Sequence, residues 1–196
     1  MTGTARIPKA ELKGIKGGLL KLAIRKKIGH VPENVEVMWN HPAVFEDLMR
    51  MGGKSEKWDR LDQHLATFAV MATAAEIGCS LCLDLNYFMA HDKGLAEGKA
   101  REVPRWRESE VFTPLERRVM EYAEAMSQTP LAVTDAMSVA LLADLGAAGL
   151  IELTARIGYM NLAARSNVAL GITSEHFADA CGLPPIATRP ARATMP

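Results

Sequence analysis

Cys79 and Cys82 stand three positions apart in the run Glu76-Ile-Gly-Cys-Ser-Leu-Cys-Leu-Asp-Leu-Asn86. Two thiols at this spacing can close a short disulfide, hold a metal or share a redox cycle. A dithiol oxidoreductase needs one thiolate to attack and a second thiol near enough to resolve the product. A CxxC at the start of a helix supplies both, because exposed N–H groups and the helix dipole favour the anion there. That helix-end effect is worth only about 0.3–1 kcal/mol, less than the roughly 1.4 kcal/mol of one pKa unit. A further partner must help.

The side chains near the pair differ in what they can offer. Asn86 lies one turn beyond Cys82 on the same face; it can orient a water or a substrate but carries no proton at neutral pH. His91 falls half a revolution round the same helix. His64 precedes Cys79 by about 22 Å of straight helix, so it could reach a thiol only across a subunit boundary. Glu76 and Asp84 are the nearest ionisable groups upstream and downstream. A carboxylate can act as a base for a thiol, yet as an anion it also raises the thiol's pKa. Simple burial of two small apolar side chains is the plain alternative. Zinc would need two more ligands, and Cys181 and His91 lack motif spacing. A thioredoxin-type CxxC follows a strand, whereas the segment before Cys79 reads as helix.

The elements that must hold these residues are helical throughout, and alternating strand-type runs are missing. A basic stretch, Gly18-Leu-Leu-Lys-Leu-Ala-Ile-Arg-Lys-Lys-Ile28, ends at Gly29. His41-Pro-Ala-Val-Phe-Glu-Asp-Leu-Met-Arg-Met51 carries proline in its first turn and predicts a stop at Gly52-Gly53. A long helix is expected over 58–77, broken by Gly78, and a second from Cys79 to His91 or Lys93, stopped by Gly94. The charged stretch 96–112 predicts a loop with one short turn. Thr113-Pro-Leu-Glu116 is a capping box that opens a helix to about Ser127. Two further helices are expected over 134–145 and 148–170, with a short last one over 174–180. The reading is all-α, with a helical extension over 1–30, one domain over 31–183 and a loose tail over 184–196.

Composition bounds the function classes. With 196 residues, 48% of them apolar, the chain can bury a proper core, and its formal net charge of zero argues against a general polyanion binder. The lysines and arginines of the first helix read as a solvated face, so no nucleic-acid partner is expected. No signal-type start and no span of roughly 20 apolar residues is evident, so no membrane partner and a cytoplasmic location are expected. Thiols there rest in the reduced state, which favours a catalytic or metal-binding CxxC over a structural staple.

A long helix ending in Ile-Gly-Cys-Ser-Leu-Cys and followed by another helix resembles the carboxymuconolactone decarboxylase-like family, which includes the AhpD-like alkylhydroperoxidases. Two distal blocks strengthen the likeness: Thr113-Pro-Leu-Glu-Arg-Arg-Val-Met-Glu-Tyr-Ala-Glu124 and the helix Leu150-Ile-Glu-Leu-Thr-Ala-Arg-Ile-Gly-Tyr-Met-Asn-Leu-Ala-Ala-Arg-Ser-Asn-Val-Ala-Leu-Gly171. The resemblance implies an AhpD-like helical bundle that assembles as a homo-oligomer (trimer, hexamer or dimer), with the redox site near subunit contacts. By position it implies Cys82 as the peroxidatic thiol and Cys79 as the resolving one, with a redox-active disulfide in place of any separate cofactor or metal. The family's relay histidine corresponds to Asn86 and its relay glutamate to Thr67. Glu76 or Asp84 could then serve from another direction. The implied activity is that of a thiol-dependent antioxidant enzyme, acting on a hydroperoxide or disulfide substrate with an external thiol reductant.

Two other functions compete with it: a decarboxylase-type lyase with Arg156 or Arg165 anchoring a small carboxylated lactone, and a silent assembly whose CxxC senses redox state. Among other residues, Cys181 is expected to pack, Tyr159, Asn161, Arg165 and Asn167 to serve subunit contacts, and Trp106 to cover the thiols or a neighbouring subunit.

Overall fold

A computed structural model describes residues 5–189, and these form helices with no strand among them. The central element is α4 (Gln63–Ile77). Its residues Leu65, Phe68, Ala69, Met71, Ala72 and Ala74 are buried on several faces, which suits a helix enclosed by neighbours rather than lying on a surface. It packs against α5 (Ser80–Asp92), α7 (Pro114–Ser127) and α8 (Asp135–Leu170).

The start of α4 is later than the sequence suggests. The Asp62 carboxylate accepts the N–H groups of His64 at 2.9 Å and Leu65 at 3.2 Å, so the helix nucleates at Gln63 rather than near Trp58. Its end follows expectation. Gly78 adopts φ +80°, a left-handed conformation that costs an ordinary residue about 1–2 kcal/mol. The chain turns there and α5 begins at once, with Cys79 as its N-cap.

In α7 the capping box is complete: Thr113 Oγ1 accepts from Glu116 N–H, and the Glu116 carboxylate accepts from Thr113 N–H. The two helices expected over 134–145 and 148–170 are the two parts of α8, separated at Gly146 by φ 67° and ψ 171°. By length and composition α8 could cross a membrane, contrary to the sequence expectation, and only 22% of its most apolar window is buried. The inward side of its second part carries Leu153, Ile157, Met160 and Ala164, whereas Ile151, Leu162 and Val168 are exposed.

The helix α3 (Pro42–Ser55) does not stop at the glycine pair but runs through it. Tyr159 explains the small residue: a Cβ at Gly52 would lie 2.7 Å from its hydroxyl, which donates to Leu48 O. Before α3 come α1 (Gly14–Ile28) and α2 (Glu33–Met38). The stretch 96–112 holds α6 (Glu97–Ala100) and a 3-10 turn, Val103–Arg105. Trp106 is interior there, its indole N–H donating to Glu124 at 2.9 Å; it covers neither the thiols nor an outer surface.

The last helix, α9 (Phe177–Ala180), is shorter than expected, because His176 turns into the left-handed region just before it. Both chain ends are tied down where described. Arg6 N–H donates to Leu170 O and its guanidinium to Ala169 O. Beyond α9, Tyr87 hydroxyl donates to Pro184 O, Ala187 N–H to Arg101 O, and Arg189 pairs with Glu76. The first part of the expected loose tail is therefore docked; positions 1–4 and 190–196 lie outside the described residues.

Candidate functional site

The Cys79 and Cys82 sulfurs are bonded to each other, with Cα atoms 5.3 Å apart, in the first turn of α5. Both residues are enclosed, at 1% and 5% exposure, so the pair belongs to the interior rather than to an open cleft. They join an apolar cluster with Val37, Ala74, Leu81, Met160, Ala164, Ile172 and Phe177. This cluster adjoins the larger core built on α4, α7 and α8, with Leu83 packed against both.

Each sulfur has its own donor. Cys79 Sγ accepts the Cys82 backbone N–H at 3.2 Å, which is the helix-end contribution foreseen from the CxxC position. Cys82 Sγ accepts the side-chain amide of Asn167 at 3.4 Å, from a residue 85 positions away on α8. The sequence reading offers Asn167 for a subunit contact; within the chain it meets this sulfur. Nothing local in the sequence indicates that α8 ends beside the head of α5.

The other expected site residues are placed as follows. Asn86 turns its amide back to the Cys82 carbonyl at 2.7 Å, one turn up its own helix. Asp84 is buried, and its carboxylate is taken up by the chain that crosses the head of α5. One oxygen accepts from Ser174 hydroxyl at 2.6 Å and Phe177 N–H at 2.9 Å; the other accepts from Ala178 N–H at 3.0 Å. Ser80 Oγ accepts Ser174 N–H nearby, at 3.1 Å. Asp84 therefore fixes the segment that brings Ile172 and Phe177 into the thiol cluster. Glu76, three residues before Cys79, is paired with Arg189, which also donates to Ala75 O at 2.9 Å.

Asp84 and Glu76, the two candidate bases, are thus engaged in holding chain segments. His91 pairs with Glu97, and His64 stacks edge-on with Phe68. Cys181, expected to pack, is exposed and free. The polar residues of α8 work within the chain: Asn161 donates to Ser127 Oγ, and Arg165 to Ser127 O. Arg156 is buried against Glu152 at 2.9 Å and donates to Trp58 O.

The described chain is an AhpD-like helical bundle, and it carries a bonded CxxC at the head of an inner helix. The sequence profile of the carboxymuconolactone decarboxylase family matches residues 42–125. The chain is 33% identical over 152 residues to the uncharacterized protein YnjA of Escherichia coli K12, spanning 77% of this chain and 84% of that one. It belongs to the carboxymuconolactone decarboxylase family.

Solved structures agree on the fold. A complex of a cysteine-to-alanine variant of the debrominase Bmp8 with 2,3,4-tribromopyrrole superimposes with a TM-score of 0.77 at 17% identity, covering 90% of this chain and 96% of that one. An uncharacterized peroxidase-related protein with an alkylhydroperoxidase AhpD core, from Ralstonia eutropha JMP134, gives 0.75 at 18% identity with the same coverage. An Agrobacterium tumefaciens protein of unknown function, described as a putative antioxidant defence protein AhpD, gives 0.64 at 21% identity, covering 68% of this chain and 92% of that one.

Proposed function

We propose that this protein is a thiol-dependent oxidoreductase of the alkylhydroperoxidase type, in which Cys79 and Cys82 cycle between dithiol and disulfide. The observation that carries the reading is the bonded pair at the head of α5 with a separate N–H donor on each sulfur. The family membership supports it. In the reducing half of the cycle two equivalents of an external thiol give up two electrons and two protons through a mixed disulfide. They leave as their own disulfide, and Cys79 and Cys82 become thiols.

In the oxidising half, the Cys82 thiol ionises and its sulfur attacks the outer oxygen of an organic hydroperoxide. The O–O bond breaks, Cys82 becomes a sulfenic acid, and the alkoxide leaves. Cys79 then loses its proton and attacks the sulfenic sulfur. The S–O bond breaks and hydroxide leaves. The two protons released by the thiols convert alkoxide to alcohol and hydroxide to water, so the balance closes on alcohol, water and disulfide. Asn86 and Thr67, at the family's relay positions, hold no group that titrates near neutrality, so neither carries these protons. The enzyme works in the cytoplasm as a homo-oligomer, and the exposed Ile151, Leu162 and Val168 of α8 support a contact between copies there.

The Bmp8 match favours one second reading, reductive dehalogenation of an apolar aryl bromide. There the two thiols would supply two electrons and two protons, yielding arene, bromide with a proton, and the same disulfide. The apolar surroundings of the sulfurs suit either substrate.

Cys82→Ser separates these readings from the non-thiol ones. It is expected to abolish turnover of cumene hydroperoxide, of 2,3,4-tribromopyrrole and of disulfides driven by a dithiol, with helix content retained. Unchanged turnover would sink the proposal. Lactone decarboxylation that survives loss of both cysteines would replace it with the lyase reading. A reversible disulfide without multiple turnover would replace it with the sensor reading.

A further inference from the structure

Resting on the thiol reading above, we propose that Asn167 is the catalytic residue that stabilises negative charge on Cys82 Sγ, as nucleophile and as leaving group, at a site whose relay positions hold Asn86 and Thr67. The amide reaches that sulfur directly, Nδ2 to Sγ 3.4 Å. Asn86, one turn from Cys82 on the same helix, has its amide turned to the Cys82 carbonyl instead.

The need for such a donor follows from the surroundings. Cys82 is 5% exposed in a cluster of aliphatic and aromatic side chains, and burial of this kind disfavours a thiolate. The Cys82 N–H serves the other sulfur. A hydrogen bond to the charged form opposes the cost of burial, and a neutral amide does so without offering a proton that could leave.

The amide is also held in place. Asn167 lies in the last turn of α8, and its carbonyl accepts Ile172 N–H at 3.0 Å where the chain turns through Gly171. The N-terminal arm fastens the same turn, with Arg6 donating to the carbonyls of Ala169 at 2.6 Å and Leu170 at 2.8 Å. The donor therefore approaches the sulfur from a helix end anchored on both sides.

The test follows ionisation of Cys82 alone, by ultraviolet thiolate absorbance of the reduced protein in a Cys79→Ser, Cys181→Ser background. Replacing exposed Cys181 removes its signal. Asn167→Leu is expected to raise the titration midpoint by about one unit, a tenfold lower thiolate fraction below the midpoint. Asn167→Asp keeps the size, so it also covers a failure of the leucine variant to fold; its carboxylate should raise the midpoint at least as far. Asn161→Leu, which removes an amide of the same helix that donates to Ser127, should leave it unmoved.

Coincident midpoints for the parent, Asn167→Leu and Asn167→Asp would overturn the assignment, and so would an equal shift in Asn161→Leu. The absorbance needs no substrate. A displaced midpoint in a protein inert toward peroxide, bromopyrrole and disulfide would sink the thiol-enzyme reading and its catalytic part for Asn167, and leave Asn167 only as the donor to the Cys82 thiolate. Turnover with an unmoved midpoint would do the reverse.

Discussion

The Glu152–Arg156 pair and the Cys79–Cys82 pair are both enclosed by the bundle, and they are built in opposite ways. Glu152 takes Arg156 on one oxygen at 2.9 Å and Arg60 N–H on the other at 2.7 Å. Arg156 also donates to Trp58 O at 3.2 Å and lies over the Trp58 ring. The full charges there are matched, and the arrangement fastens the 58–60 segment to α8. At the thiols, each sulfur has one N–H donor and the nearby acids are turned to other tasks. The first region resists any change of charge. The second holds two sulfurs in an apolar cluster where no full charge is paired with either of them.

Breaking the matched pair should have the largest effect on stability. Glu152→Ala leaves Arg156 buried without its partner and should cost about 3–5 kcal/mol in urea or guanidinium unfolding. A loss below 1 kcal/mol would show that the pair is better solvated than its burial indicates.

Asp84 comes next, because it joins the thiol region to the fold. Asp84→Ala removes the acceptor of three donors from the 174–178 segment and should cost about 2 kcal/mol. Reduced Cys82 should also alkylate faster, as the segment carrying Phe177 loosens. Unchanged alkylation would mean that this segment does not limit access to the sulfur.

The smallest effect is an acid one, confined to the larger core. Burial pushes the Glu116 carboxyl up, but hydrogen bonds from Lys99 and Thr113 outweigh it and hold the group below its usual 4.5. A depressed folded pKa contributes stability that is present above the unfolded value and is lost as pH falls through the folded one. Glu116→Gln should therefore flatten the acid limb of a stability–pH curve below about pH 4.5 and leave thiol titration, on the alkaline side, unmoved. An unchanged acid limb would remove Glu116 from the acid response.

Much of the frame was legible because it is local. Gly78 as a break, Cys79 as a helix start, the capping box at Thr113 and the interruption near Gly146 each depend on a few adjacent residues. The parts that escaped are long-range. Asn167 meets Cys82 from 85 residues away, and Asp84 takes up backbone N–H groups more than 90 positions on. Gly52-Gly53 reads as a stop until Tyr159 is seen against it. Glu76 reads as a candidate base until Arg189 of the tail is found on it. Spacing along one helix can rank the partners of a thiol, but it cannot show which of them another segment has already taken.

The most direct test is a single-turnover thiol count. The protein is fully reduced, freed of reductant and given one equivalent of cumene hydroperoxide, and its thiols are then identified by alkylation and peptide mass. Expected are loss of the Cys79 and Cys82 thiols to a mutual disulfide, retention of Cys181, and one equivalent of alcohol. Peroxide that persists while both site thiols remain alkylatable would contradict a hydroperoxidase built on this pair.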